Sequence, residues 1–429
     1  MESFSTREEY LAYLERAGGL PEGFRVGTAA LTFLPGERPV ASALPMRLTL
    51  VLLDKPTRDF AALFTQNLFP GAPVIIGRER MKSAPAGGMR GVIINNKISN
   101  VCAPQGVQDA EDVLAALGGE LGAAGGEFFP ASTGIIGWSL PVAEMKAALP
   151  SLVKSLHGGS CADAAQAIMT TDAYPKLHSV SVGEGRLTGF AKGAGMIEPN
   201  LATMLVFLMT DIALPRALMQ ESLGRVAEKT FNCISVDSDQ STSDTVLLFS
   251  SGLKPAVPQA EFDAALEEVC LSLARHIVRN GEGTAHVIRA RVCGAPDFRL
   301  ARDFGKAIVN SPLVKTAVYG NDPNVGRIVS SIGDFAGNAG LRFDRDALTI
   351  RLGDQTIFRN GAFQLDAEKE KKLSEYFKQA AMVPAEKTFP LHDRYVDITV
   401  EMKDGSAEAV VYGSDLSHEY VTENADYRS

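Results

Sequence analysis

The chain has little of the chemistry that metal sites and disulfide frames are built from. It has one tryptophan and six histidines in 429 residues, and its five cysteines, Cys102, Cys161, Cys233, Cys270 and Cys293, never form a C-x-x-C pair. An odd, scattered set of thiols is expected to stay reduced, which excludes a disulfide scaffold and a zinc ribbon. H-E-x-x-H is absent, so no metal is expected. No apolar run approaches the roughly 18 residues that a spanning helix requires. With a formal net charge of -9 and no lysine and arginine stripe, nucleic acid is not expected as a partner, and neither is a membrane. A G-x-S-x-G elbow and the P-loop order are also missing, as are internal repeats and low-complexity segments. The opening MESFSTREEYLAYLERAGG carries four glutamates at helical spacing and no apolar core, unlike a signal or transit peptide, so a cytoplasmic protein is expected.

What is present is an ordinary globular composition, 45% apolar and 22% charged, long enough for two or three domains. Helical spacing predicts helices over residues 7 to 17, 109 to 117, 161 to 167, 214 to 228 and 261 to 279, the last with Phe262, Leu266, Val269, Leu273 and Ile277 on one stripe. Strands are expected over Arg47 to Leu53, Gly91 to Asn95 and His286 to Val292, with two more between Phe231 and Ser250 around the polar stretch VDSDQSTSD. That stretch lacks the glycine and glutamate of an EF-hand loop, so its aspartates Asp237, Asp239 and Asp244 read as a hydrogen-bonded turn. Asp366 is a plausible N-cap for a helix to Ala381. Residues 348 to 358 and 397 to 412 read as hairpins, the second turning at Asp404-Gly405. A smaller α/β lobe is expected from about residue 295 to 415, followed by a tail.

The chain is organised around Lys192 to Asp211, KGAGMIEPNLATMLVFLMTD. Gly193 and Gly195 permit a tight turn, Pro199 extends the residue before it, and Met204 to Met209 reads as a strand buried on both faces. Thr203 is then either one more β-branched residue or a nucleophile freed by self-cleavage of the Ala202-Thr203 bond. In the second case its α-amino group is its own base, with a reference pKa of about 7.7 to 8.0. Such a threonine needs an oxyanion hole, which the Ser132-Thr133-Gly134 turn can supply with a hydroxyl and backbone amides. Lys192 can bring a positive charge, and Glu282, just past a helix end where the macrodipole disfavours a carboxylate, can bind a cationic amino group.

Seven segments in order, PASTGIIGWSLP, AIMTTDAYPK, GFAKGAGMIEPNLATML, FNCISVDSDQSTSDTVLL, NGEGTA, VYGNDPNVGRI and DLSHEYVTENADYRS, make the chain resemble the ornithine acetyltransferase family, the glutamate N-acetyltransferases of arginine biosynthesis. The resemblance implies an α+β fold, an α/β/β/α sandwich like that of N-terminal nucleophile hydrolases, with a second, smaller α/β domain. It implies cleavage into an α chain, residues 1–202, and a β chain whose first part, residues 203–294, completes the sandwich. Residues 295–415 would form the lobe, and 416–429 a tail returning to the active site. Thr203 would be the nucleophile, Thr133 and Gly134 the oxyanion hole, and Lys192, Glu282, Asn424, Ser429 and one of Thr170 and Thr171, Thr170 favoured, the substrate contacts.

The implied reaction moves an acetyl group from acetylornithine to glutamate through acetyl-Thr203, with no cofactor, acetyl-CoA being a possible further substrate. Two α and two β chains are the implied assembly. The family's usual residues are replaced at Ile94 to Pro104, where Lys97 and Ile98 are expected near a site wall, and at His286 and Val325. These changes keep a different acyl amino acid, or an amidohydrolase or aminopeptidase reaction with water as acceptor, as alternatives.

Overall fold

The computed structural model describes residues 4–38, 42–198, 204–382, 388–390 and 392–425. In chain order the first strands are β1 (Phe24–Phe33), β2 (Leu44–Thr57), β3 (Phe60–Phe64), β4 (Met89–Asn95) and β5 (Phe128–Ser132). They are followed by β6 (Lys176–Val182), β7 (Gly185–Lys192), β8 (Leu205–Ile212), β9 (Ile234–Ser235) and β10 (Thr245–Lys254). One sheet has the order β1-β2-β4-β5 and the other β3-β10-β8-β7-β6. β4 and β5 are parallel, as are β8 and β10, so each sheet is mixed.

The two sheets are stacked because their strands are apolar on both faces. Along β8, Leu205, Phe207 and Met209 point into a core shared with Val51, Val92, Ile94 and Phe129 of the other sheet. The alternate residues Val206 and Leu208 point the opposite way, onto Met219 and Leu223 of helix Arg216–Lys229 and Phe262, Leu266 and Val269 of helix Gln259–Arg279. Likewise Leu48, Leu50, Leu52 and Ile93 leave the inner core and meet Val113 and Leu117 of helix Gly106–Leu121 and Leu149 of helix Val142–Lys154. Period-two alternation between two apolar environments thus generates helix, sheet, sheet and helix as successive layers. Each fully buried Val, Leu or Phe contributes about 1.5–3 kcal/mol of transfer free energy to that stacking.

The remaining strands are β11 (Val287–Ala295), β12 (Thr349–Leu352), β13 (Gln355–Arg359), β14 (Ala362–Phe363), β15 (Val396–Glu401) and β16 (Ala407–Ser414). With β9 they make a seven-stranded sheet of order β14-β13-β12-β15-β11-β16-β9. Helices Phe298–Asn310 and Val325–Asn338 pack on it through Phe304, Ile308, Ile328 and Ile332.

Several sequence expectations need correction. β15 and β16 do not pair as a hairpin, because β11 lies between them, parallel to β15 and antiparallel to β16. The Asp404-Gly405 signal marks a turn but cannot reveal a strand inserted from more than 100 residues earlier, since turn chemistry is local. The expected strand at Phe231 reduces to the two residues of β9, and the lobe's sheet takes β9 and β11 from before residue 295. Gly118 and Gly119 do not end their helix, which runs to Leu121 and stops at Gly122 in the left-handed region, φ 61°. The expected cap does form: the Asp366 carboxylate accepts from the amide of Lys369 at 2.8 Å.

Candidate active site

The site is built where strand ends and loops of both sheets converge. β5 ends at Ser132, whose hydroxyl donates to Asn95 Oδ1 on β4 at 2.6 Å, and the amide of Thr133 donates to the Asn95 carbonyl at 3.1 Å. That amide is therefore committed to the sheet, and Thr133 has its hydroxyl left to offer. Gly134 has φ +127°, and a Cβ there would lie 2.2 Å from the carbonyl carbon and oxygen of Lys97, so only glycine fits. The following residues form a short parallel ladder, with Ile135 N donating to Lys97 O at 2.9 Å and Ser99 N donating to Ile135 O at 3.0 Å. Lys97, with φ 75°, and Ile98 thus pack behind the Gly134 turn, and neither lines the cavity itself, where the wall residue of this segment is Ser99.

Glu282 sits on the turn that ends the long helix Gln259–Arg279. It is 7% exposed, its Oε1 accepts from the Thr171 hydroxyl at 2.7 Å, and its Oε2 accepts from Asn424 Nδ2 at 2.9 Å. Its amide donates to Ala194 O at 3.0 Å, and a Cβ on Gly195 would fall 2.3 Å from Oε2, so the glycine turn after β7 is pressed against the carboxylate. Helix His418–Ala425, which carries Asn424, is held to the same turn by the Ser417 hydroxyl, which donates to Gly283 O at 2.6 Å.

Behind these residues is a buried polar cluster that sequence reading did not single out. Asp172 Oδ2 accepts from Thr170 N at 3.0 Å, and its Oδ1 accepts from Gly193 N at 2.9 Å and from Lys176 Nζ at 2.5 Å. Both side chains of the ion pair are fully buried. Burial by itself raises the Asp172 pKa, but the charges of Lys176 and Lys192 and the hydrogen bonds reverse this and bring it down to about 2. Burial pulls Lys176 below the usual lysine range, opposed by Asp172, and its Nζ also donates to Asn280 Oδ1 at 3.0 Å. The carboxylate in MTTDAYPK was visible in the sequence, but burial alone distinguishes it from a loop charge.

The turn leading towards residue 203 is anchored by the aspartate stretch, as the turn reading expected. Asp237 accepts from Met196 N at 2.6 Å and Ile197 N at 2.7 Å, and Glu198 N donates to Asp239 O at 3.0 Å. On the other side, Thr245 N donates to Met204 O at 3.0 Å.

Thr133, Gly134, Thr170, Thr171, Lys192, Glu282 and Asn424 line one cavity of about 250 Å³, joined by Ser99, Met196 and Ser243. Ala202, Thr203 and Ser429 lie outside the described residues. His286 and Val325 are not on the cavity: His286 is buried with Nδ1 2.7 Å from Asp415, and Val325 belongs to the lobe core. Among the described residues no group of His, Cys, Asp and Glu side chains is arranged to hold a metal, and no helix is long and apolar enough to cross a membrane.

Two sheets stacked between helical layers, with a hydroxyl, a glycine amide, an ammonium and a carboxylate gathered at their edge, place the chain in the class of α/β/β/α sandwiches. Its sequence narrows the class further. The chain belongs to the ArgJ family, whose model matches residues 42–429. It is 39% identical to arginine biosynthesis bifunctional protein ArgJ 2 of a Nostoc species, over 85% of this chain and 89% of that one. It is 36% identical to glutamate N-acetyltransferase Oat2 of Streptomyces clavuligerus, over 95% and 98%. Among solved structures, an ornithine acetyltransferase from Mycobacterium tuberculosis complexed with ornithine is 34% identical, with TM-score 0.37, covering 44% of this chain and 97% of that one.

Proposed function

We propose that the protein is a glutamate N-acetyltransferase that takes its acetyl group from N2-acetylornithine. The observation that carries this reading is the Glu282 carboxylate, buried and held between Thr171 and Asn424 on the wall that also carries Lys192. A buried carboxylate facing the cavity is suited to a side-chain ammonium, and Lys192 to the α-carboxylate of the same amino acid.

In this reading the chain first cuts itself. The Thr203 hydroxyl adds to the carbonyl carbon of Ala202, the C–N bond breaks as the amine takes the proton, and water hydrolyses the resulting ester. The free α-amino group of Thr203 then serves as base for its own hydroxyl, which attacks the acetyl carbon of acetylornithine. The Thr133 hydroxyl and Gly134 amide are assigned to the oxyanion, an arrangement that contributes about 3–4 kcal/mol per donor in comparable sites. Ornithine leaves with the proton, and the amine of glutamate takes the acetyl group from Thr203. No cofactor is needed for these steps, and acetyl-CoA would be a further acetyl source acting on the same threonine. Asn424 and Ser429 are assigned to the substrate, with Thr170 and Thr171 beside it. The proposed assembly is two α and two β chains in the cytoplasm.

Incubation of acetylornithine with and without glutamate tests the reaction: acetylglutamate is expected only when glutamate is present. Free acetate formed equally in both would establish water as the acceptor, the reaction of an amidohydrolase. A denaturing gel with N-terminal sequencing tests the cleavage, with fragments starting at Met1 and Thr203 expected for wild type and one uncut band for Thr203→Ala.

A further inference from the structure

Asp172 touches no cavity surface, yet three cavity elements hang from it. Its two oxygens take the amide of Thr170 and the amide of Gly193, which follows Lys192. Its ion-pair partner Lys176 donates to Asn280 Oδ1 at 3.0 Å, and the same oxygen accepts from Ala173 N at 2.9 Å. Asn280 caps the C-terminal end of helix Gln259–Arg279, two residues before Glu282. The side chains of Asp172 and Lys176 are both at 0% exposure, and neither residue lines the cavity.

A buried ion pair is a poor device for stability alone, since apolar residues of similar volume often replace one without loss. This pair does something an apolar pair cannot: its directional bonds tie the Thr170-Thr171 loop, the Lys192-Gly193 turn and the Asn280-Glu282 turn to one point. The hydroxyl of Thr171 reaches Glu282 only while the first and third are in register. We propose that Asp172, together with Lys176, is a positioning residue that sets the spacing of Lys192, Thr171 and Glu282 for the two charged ends of the acyl amino acid. The inference rests on the acetyl-transfer reading and deepens it, because it assigns recognition of both substrate charges to one hidden hub.

The test compares wild type, Asp172→Asn and the charge-free pair Asp172→Asn with Lys176→Met, with rates referred to the amount of cut chain on a denaturing gel. Asp172→Asn is expected to lower kcat/KM for acetylornithine by roughly ten- to a hundredfold, the scale of a misplaced reacting group, and to lower the melting temperature. The double variant, with no unpaired buried charge, is expected to regain the melting temperature and not the activity. Recovery of both together, kcat/KM of the single variant within twofold of wild type, or variants with no cut chain at all would each overturn the proposal. If the single variant does not fold, the double carries the test by the same criterion. A wild-type protein without acetyl transfer overturns both the proposal and the reading beneath it, whereas transfer in wild type with unchanged variants overturns the proposal alone.

Discussion

Glu282 and Thr171 are 111 positions apart in the chain and 2.7 Å apart in space, with the threonine hydroxyl donating to the carboxylate. That bond closes the wall between the loop after helix Ala162–Ala167 and the turn after helix Gln259–Arg279. It leaves the carboxylate oriented by two neutral donors, Thr171 and Asn424, with no cationic side chain neutralising it at hydrogen-bond distance among the described residues.

Glu282→Gln keeps the shape of this wall and removes its charge. The KM for acetylornithine is expected to rise by on the order of ten- to a hundredfold, the scale of a lost charge-assisted contact. The half-reaction with glutamate, which has no side-chain ammonium, should change far less. Steady-state kinetics with each substrate varied in turn would show the split, and equal effects on both would count against the ammonium assignment.

Gly134→Ala would place a methyl 2.2 Å from the Lys97 carbonyl and force the turn away from the cavity. If the Gly134 amide serves the oxyanion, kcat should fall by roughly a hundredfold or more. The circular dichroism spectrum should stay unchanged, because the clash is with a local loop. An alanine variant at full rate would remove Gly134 from the oxyanion hole.

The depressed pKa of Asp172 makes stability depend on acid. A carboxylate held at about 2 in the folded chain, against an ordinary value near 3.9, contributes about 2–3 kcal/mol above pH 4. The contribution is lost as pH falls from 4 through 2, because the unfolded chain takes the proton first. Urea unfolding across that window should show the loss, and Asp172→Asn should flatten this part of the curve.

Asp366→Ala removes the acceptor for the Lys369 amide at the start of helix Ala367–Ala380. A loss of about 1 kcal/mol is expected for the lobe, with acyl transfer unaffected because the helix lies on the far sheet. Thermal unfolding followed by tryptic cleavage within the lobe would locate the change.

The residues themselves determined a good deal. Apolar periodicity marks the long helix Gln259–Arg279 and the doubly buried β8, because those patterns are written over consecutive positions. The glycine and hydroxyl motifs put Thr133, Gly134, Lys192 and Glu282 forward, the family resemblance added Thr170, Thr171 and Asn424, and the fold brings all seven to one cavity.

What only the tertiary structure decided involves contacts between distant segments. That β11 enters between β15 and β16 depends on hydrogen bonds across more than 100 residues, to which a local turn signal is blind. That Asp172 is an internal hub depends on its carboxylate losing contact with water, and a lone aspartate in a loop looks the same on paper as a solvated one. Local sequence carries backbone preference and periodicity; desolvation and the pairing of remote donors and acceptors come into being only when the chain has closed on itself.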